Sequence, residues 1–466
     1  MAGCELRPYQ KTALNQIRKH YSQKQKKVLL HLSTGGGKTV IFSEVLKGVY
    51  RKGKHGIMVV RGRKLVDQAS RRLEREGVAH GVLMAGHKKY APNEKIQICS
   101  IDTLRSRNLR PQADIVVIDE AHLATSPSYH SLINDYPDAF FLPVTATPYT
   151  EKSLRHIADH VVKPITFNEL VEQGFLVPPR YFCPNVPNLK GVSTTATSEG
   201  KDYNQKQLAA IMEDSYIMGD IATEWLDKAK GRPTIAFCVS VSHSMKLTEY
   251  LIERGIRAAH VDANSSDEER EVSIAKLENR EIDVLCNVGI LCTGVDIPCL
   301  GCIIMARPTK SYNLFIQQAG RGTRPYRGKK DFILLDNAGN VLRHGFITKE
   351  REANLDAKEK IKKVEKTLSP KICTVCFAAF QGTTCPSCGA GADKNPRQYA
   401  VVDGNLKELK PDDLDPIKIR FEELKKIKKE KGYKRGWLYH KLKDEFSEEV
   451  ASLYVPKRYV PPWVAR

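Results

Sequence analysis

Residues 28–39 read Val-Leu-Leu-His-Leu-Ser-Thr-Gly-Gly-Gly-Lys-Thr. An apolar run, Val28–Leu32, ends on three consecutive glycines and a Lys-Thr pair, and an apolar amphipathic stretch follows. A continuous apolar run suits a parallel strand buried on both faces, so the pattern predicts strand, tight loop, helix. Glycines let backbone N–H groups close around a phosphate, and a helix N-terminus favours its negative charge. The expected cradle is Thr34, Gly35, Gly36 and Gly37. Lys38 would reach the β- and γ-phosphates of a nucleotide, and the Thr39 hydroxyl would ligate Mg²⁺. The general phosphate-loop pattern has a small residue where Leu32 stands, so the match is partial.

Outward from this loop the same alternation continues. Apolar runs at 57–60, 96–99, 115–118, 141–144, 234–239, 284–288, 302–305 and 332–335 are separated by amphipathic stretches such as 64–76 and 243–254. That predicts α/β architecture with parallel sheets. The series breaks between about 150 and 230, at Val177-Pro178-Pro179 and a polar tract, Gly191–Gly200, read as a loop. Two α/β lobes are expected, at 1–178 and 179–345. A charged helical linker follows at 346–372, then a cysteine module at 373–390 and a basic C-terminal region at 391–466.

The chain has 466 residues with 74 Lys and Arg against 54 Asp and Glu, a net charge of +20. That surplus points to a polyanion, nucleic acid before an anionic membrane. No apolar run approaches the ~18 residues of a membrane span. The N-terminal residues show no apolar secretory core, so a soluble cytoplasmic protein is expected. Four of the 12 cysteines, Cys373, Cys376, Cys385 and Cys388, fall in one window with Cys-x2-Cys-x8-Cys-x2-Cys spacing. Four thiolates in two knuckles make a closed tetrahedral Zn²⁺ site with no open position for catalysis. The other cysteines are dispersed, as in a reducing compartment.

Two further segments carry chemistry. Asp119-Glu120-Ala121-His122 ends the run 115–118. Asp119 is suited to hold Mg²⁺, and Glu120 to orient and deprotonate an attacking water. In Gln317-Gln318-Ala319-Gly320-Arg321-Gly322-Thr323-Arg324, two arginines three apart share a face. Planar guanidinium groups suit bidentate contact with phosphate.

Together these segments resemble the ordered motifs of superfamily 2 helicases of the DEAD/DEAH type, over roughly residues 5–340. The resemblance implies two tandem RecA-like lobes with ATP between them. It gives Arg7 and Gln10 an adenine-reading role, and His122, Thr145 and Thr147 a role coupling the ATP site to nucleic acid. Gly294 and Asp296 fall in a nucleotide-contacting segment, and Gln317, Arg321 and Arg324 in the segment that supplies arginine fingers from the second lobe. Val60-Arg61 and Thr103-Leu104 stand where the family contacts the strand. With the zinc module, the chain looks similar to RadD-like bacterial and phage DNA helicases, related to XPB. That implies DNA in preference to RNA, repair, recombination or replication, a bacterial or phage-infected cytoplasm, and a single-strand-binding or repair protein as partner.

Three readings stay open on sequence alone. The first is a strand-separating motor and the second a duplex translocase that remodels complexes without unwinding. The third is a zinc-bearing nucleic-acid adaptor whose ATP site is a latch. No strand-splitting hairpin is readable. Asp403 with Glu408-Leu409-Lys410 reads as a charged loop rather than a nuclease set. Gly432–Tyr439 interleaves basic and aromatic residues and suits either nucleic acid or a solvated helix.

Overall fold

The structure is a computed structural model. It describes residues 5–149, 153–183, 187, 189–197, 200–213, 221–292, 295–349, 353, 355–356, 371–372, 379–380, 407–409, 420–421, 423–425, 427–428, 433 and 437–445.

Two seven-stranded sheets organise the chain. In the first, β1 (Val28–His31), β2 (Gly56–Val60), β3 (Gly81–Leu83), β4 (Ile96–Ser100), β5 (Ile115–Ile118), β6 (Phe140–Thr145) and β7 (His160–Val162) are all parallel. Their order is β3-β4-β2-β5-β6-β1-β7. Every residue of β1, β2, β4 and β5 is buried, which is why these strands read as unbroken apolar runs. Helices α1 (Pro8–Ser22), α2 (Lys38–Arg51) and α3 (Arg63–Arg75) belong to this lobe.

The second lobe begins at β8 (Pro179–Cys183) and continues through a β9 (Thr194–Thr197) and β10 (Gly200–Tyr203) hairpin. Its remaining strands are β11 (Thr234–Phe237), β12 (Ala258–Val261), β13 (Val284–Asn287), β14 (Cys302–Met305) and β15 (Phe332–Asp336). A short pair, β16 (Lys371–Ile372) and β17 (Ala379–Phe380), follows, and then β18 (Lys407–Leu409). The large sheet runs β12-β13-β11-β14-β15-β8-β18, and only β18 is antiparallel to its neighbour. The two-lobe parallel architecture expected from the alternation is therefore present.

Two expectations are corrected. The tract around Gly191–Gly200 is not a plain loop, because β9 and β10 pair across it. Threonines tolerate extended backbone, and the fully exposed β9 had no apolar signal to reveal it. The hairpin base is pinned by buried Asp202, which accepts from Thr309 Oγ1 at 2.9 Å and from the Lys310 N–H at 2.7 Å. Residues 407–409, read as a charged loop, form β18 on the open edge of β8, where unpaired backbone groups accept a strand. Thr103 and Leu104, which stand where the family contacts the strand, are buried in this structure, a placement that leaves that expectation untested.

Of the span 346–372, the described part holds buried Phe346, Ile347 and Leu355. The Leu355 carbonyl accepts from Leu154 N–H at 2.7 Å and Ser153 Oγ at 3.0 Å, and Arg155 forks onto Asp356 at 2.9 and 3.0 Å. The chain thus returns from lobe 2 to lobe 1. Cys373, Cys376, Cys385 and Cys388 lie outside the described residues. No group of three or more metal-ligating side chains occurs among the described residues. No described helix is long and apolar enough to cross a membrane.

Candidate active site

The phosphate loop leaves the carboxyl end of β1, the acidic pair leaves β5, and Thr145 ends β6, which lies between them. Carboxyl ends of parallel strands are where open α/β sheets bind ligands. Gly35 and Gly37 both adopt φ +82°, a left-handed geometry that glycine adopts without steric cost. A Cβ on Gly36 would lie 2.8 Å from Leu32 Cγ and 3.0 Å from the Ser33 carbonyl oxygen. The large residue at 32 is thus accommodated by the missing side chain at 36.

Lys38 starts α2 and points into a buried space shared with Asp119 and Glu120. Burial lowers its affinity for a proton; Glu120 and Asp119 oppose that, and Arg321 and Arg324 add to it. Asp119 is raised to about 7 by burial and then by the charge of Glu120, with Lys38 pulling the other way. Its Oδ1 accepts from the Glu120 N–H at 2.9 Å. Glu120 itself sits at φ +47°, a strained geometry for a side-chain-bearing residue. Its buried Oε2 has no hydrogen-bond partner among the described residues, and His122 Nδ1 stands 3.4 Å away. A buried carboxylate oxygen left unmatched, beside a buried lysine and a glycine cradle, fits a bound nucleotide with its metal and water.

His122 carries the site toward the other lobe. Its Nδ1 lies 3.0 Å from Thr145 Oγ1 and 3.4 Å from Thr147 Oγ1. Its Nε2 lies 3.3 Å from Gln317 Nε2. Burial lowers its pKa, so the ring is neutral: Nδ1–H donates to Thr145, and Nε2 accepts from the Gln317 amide. One imidazole therefore joins the acidic pair, the end of β6 and lobe 2.

The lobes meet closely there. A Cβ on Gly320 would fall 2.6 Å from Thr34 Cβ and Cγ2, so the arginine segment packs directly on the phosphate loop. Arg321 donates from Nε and Nη2 to the Cys292 carbonyl at 3.1 and 2.5 Å, and from Nη1 to the Val295 carbonyl at 2.5 Å. Burial first, then Arg324, lowers its pKa to about 10, and Glu120 is close enough to act against this. Arg324 pairs with exposed Asp296 at 3.0 Å. Gly294 lies outside the described residues. Tyr149 of lobe 1 and Tyr312 of lobe 2 meet edge to face at 5.3 Å beside the loop.

Phe175 and Lys329 escaped the sequence reading, and Tyr9 stood in the adenine-reading segment without a role of its own. Tyr9 donates its hydroxyl to the Gly36 carbonyl at 2.8 Å, and Phe175 packs on Tyr9 at 5.4 Å while Arg7 lies over its ring at 4.5 Å. Beside them Gln10 Nε2 is 2.6 Å from the point where a Gly37 Cβ would sit, and Gln10 Oε1 accepts from Arg7 N–H. Phe175 is far from this group in sequence, so no local spacing announces it. Lys329 Nζ donates to the carbonyls of Pro298, Gly322 and Arg324 at 3.3, 2.7 and 2.8 Å, stapling the arginine segment. Burial pulls it to about 7.

Two family matches fall on this geometry in order. The family described as type III restriction enzyme, res subunit, matches residues 3–150, and the helicase conserved C-terminal domain matches residues 218–325. The two matched domains, in this order, are consistent with a superfamily 2 helicase. A 51.5 kDa protein of a Lactococcus phage is 29% identical over 67% of this chain and 65% of its own length. A Saccharomyces cerevisiae protein named "Putative ATP-dependent helicase IRC3" is 27% identical over 72% of the chain and 51% of its own length. The chain thus spans between half and two thirds of these relatives. Among solved structures, the ATP-dependent type ISP restriction-modification enzyme LlaBIII bound to DNA superposes with TM-score 0.54 at 16% identity, covering 71% of this chain and 27% of that one. That likeness concerns the fold alone.

Proposed function

We propose that this helicase-family chain is an ATP hydrolase whose turnover drives movement along nucleic acid. The observation that carries the reading is the convergence of Lys38, Asp119, Glu120 and Arg321, from two lobes, in one buried electrostatic neighbourhood. Gln10 and the Tyr9–Phe175 pair accept adenine, and the glycine cradle with Lys38 holds the phosphates. Thr39 and Asp119 would hold Mg²⁺, which neutralises phosphate charge when bound. Glu120 orients and deprotonates water. Arg321 and Arg324 add positive charge only when the lobes seat together, and an arginine finger is worth ~10³–10⁵ in rate. His122 and Gln317 relay that seating.

DNA is the favoured substrate. The net charge of +20 calls for a polyanion, and both the restriction-enzyme family match and the DNA-bound LlaBIII lie on the DNA side. Strand separation is favoured over plain translocation by β9, an exposed strand paired with β10 and anchored through buried Asp202. DNA repair, recombination or replication and a RadD-like placement follow from the motor joined to the cysteine module. The decisive test is ATP hydrolysis with single-stranded DNA, duplex, fork and RNA, followed by strand separation on the best activator. Absence of stimulation by every nucleic acid would overturn the motor in favour of the latch.

The zinc reading rests on cysteine spacing and on the antiparallel β16–β17 pair, whose strands flank Cys373 and Cys376 in sequence. One Zn²⁺ per chain, released by Cys385→Ser, is expected in metal analysis of the purified protein. A metal-free chain with full nucleic-acid binding would remove zinc from the account.

A further inference from the structure

Described residues between Arg420 and Glu445 pack together in a unit that the ATP site does not use. Leu424, Leu438, Tyr439 and Leu442 are buried together, with Phe421, Ile427 and Trp437 packed against them. Arg420 ties its two ends, forking onto Glu445 at 2.7 and 2.9 Å while also binding Glu423 at 2.9 Å. Two of the unit's carboxylates are therefore occupied by one internal arginine. Between Leu424 and Lys443 the sequence holds nine Lys and Arg and a single acid, Glu430. The ring of Tyr433 stacks on Trp437 at 4.5 Å with an interplanar angle of 25°, yet Tyr433 remains 40% exposed. One face of the ring is held by the indole, and the phenol is open to solvent.

We propose that this unit is a second nucleic-acid site, which grips single-stranded DNA outside the motor cleft. The claim rests on the nucleic-acid reading above and adds a site to it. Lys428 and Lys441 supply cations for the phosphates, and Tyr433 offers a stacking surface for one unpaired base. The Trp437 stack fixes the tyrosine before binding, which removes the ordering cost that a free side chain would incur. Duplex DNA offers no unpaired base face, so the platform selects single strands. β18 attaches the chain just ahead of this unit to the edge of the lobe 2 sheet, so the grip is tethered to that lobe.

The test uses the full chain and fluorescein-labelled oligothymidylate, with affinity measured across a salt series. Tyr433→Ala should weaken strand binding about tenfold, while Tyr433→Phe, which keeps the stack, should bind like wild type. Lys428→Gln with Lys441→Gln should lower the log–log salt slope by about 1.4, roughly 0.7 for each phosphate no longer neutralised. Basal ATP hydrolysis should stay unchanged in all of them. Wild-type affinity in Tyr433→Ala together with an unchanged slope in the lysine variant would overturn the site. So would loss of binding to phosphatidylserine vesicles in the lysine variant with oligothymidylate binding intact. Tyr433-dependent binding without nucleic-acid-stimulated hydrolysis would overturn the motor and leave the site standing.

Discussion

The two faces that meet at the nucleotide site differ in how well their charged groups are satisfied before any ligand arrives. On lobe 1, Lys38 is buried with its proton affinity lowered, Asp119 is raised to about 7, and Glu120 Oε2 is unmatched among the described residues. On lobe 2, Arg321 has Nε and both terminal nitrogens engaged by the carbonyls of Cys292 and Val295. Lobe 1 is thus a receptor held in a costly arrangement that a ligand relieves. Lobe 2 keeps its cation parked, and to reach a phosphate Arg321 must give up its carbonyl partners. On the proposed function, the first face would set nucleotide affinity and the second the conditions for turnover.

The comparison breaks most visibly at Lys38 and Glu120. Lys38→Ala should remove both nucleotide affinity and hydrolysis. Glu120→Gln should keep nucleotide binding and lose about 10³-fold or more in turnover, since only the base is removed. Calorimetric titration beside steady-state hydrolysis separates the two, and equal loss of binding would end the division of roles. Next in size, Arg321→Ala should cost roughly 10³ in stimulated hydrolysis with little change in nucleotide affinity. Arg321→Lys should rescue poorly because a point charge cannot reproduce the planar fork. Intact stimulation in Arg321→Ala, with weaker and more salt-sensitive nucleic-acid binding, would make the arginine a strand contact.

A smaller effect tests the seating itself. Gly320→Ala places a methyl 2.6 Å from Thr34 and should lower stimulated turnover about tenfold. Adding Thr34→Ser, which removes Cγ2, should restore part of it, and strictly additive losses in that double-mutant cycle would deny the contact. The smallest effect is on stability. Asp119 has a folded pKa of about 7 against an ordinary 3.8, so the folded state binds more protons between these values. Stability contributed by its protonation is full below the lower value and lost as pH rises through the upper. Asp119→Asn should therefore melt above wild type at pH 8 without ligand, with the gap closing toward pH 4. A gap that widens on acidification would reverse the assignment.

Much of this was legible in sequence because both-face burial writes itself as unbroken apolar runs: β1, β2, β4 and β5 stand where Val28, Ile57, Ile96 and Ile115 announced them. Edge strands were silent: β3 and β7 have three residues each, and β12 is mostly half-buried. Inside its sheet β8 begins at a proline, and β9 of the hairpin has no buried residue. The phosphate loop and acidic pair are local motifs, and their residues come together as the spacing suggested. Phe175 acts through partners distant in sequence, and Lys329 through backbone carbonyls of Pro298, Gly322 and Arg324, which no pattern of residue types encodes. The internal engagement of Arg321 was equally invisible, since backbone carbonyls carry no signature in residue type.

The return of Leu355 to lobe 1 bears on how the polypeptide emerges from the ribosome. Leu355 completes a buried cluster with Leu154, Ile157 and Ala158, and its carbonyl is capped from Ser153 and Leu154. The strands β8 to β15 of lobe 2 are all translated between these partners. Domains tend to fold as units during synthesis, the N-terminal one first. Here the first-made domain stays open at one seat until the second has left the exit tunnel. Its final hydrophobic closure then reports that both halves have been made, and Leu355→Ala should slow the maturation of newly made chains more than it disturbs the finished protein.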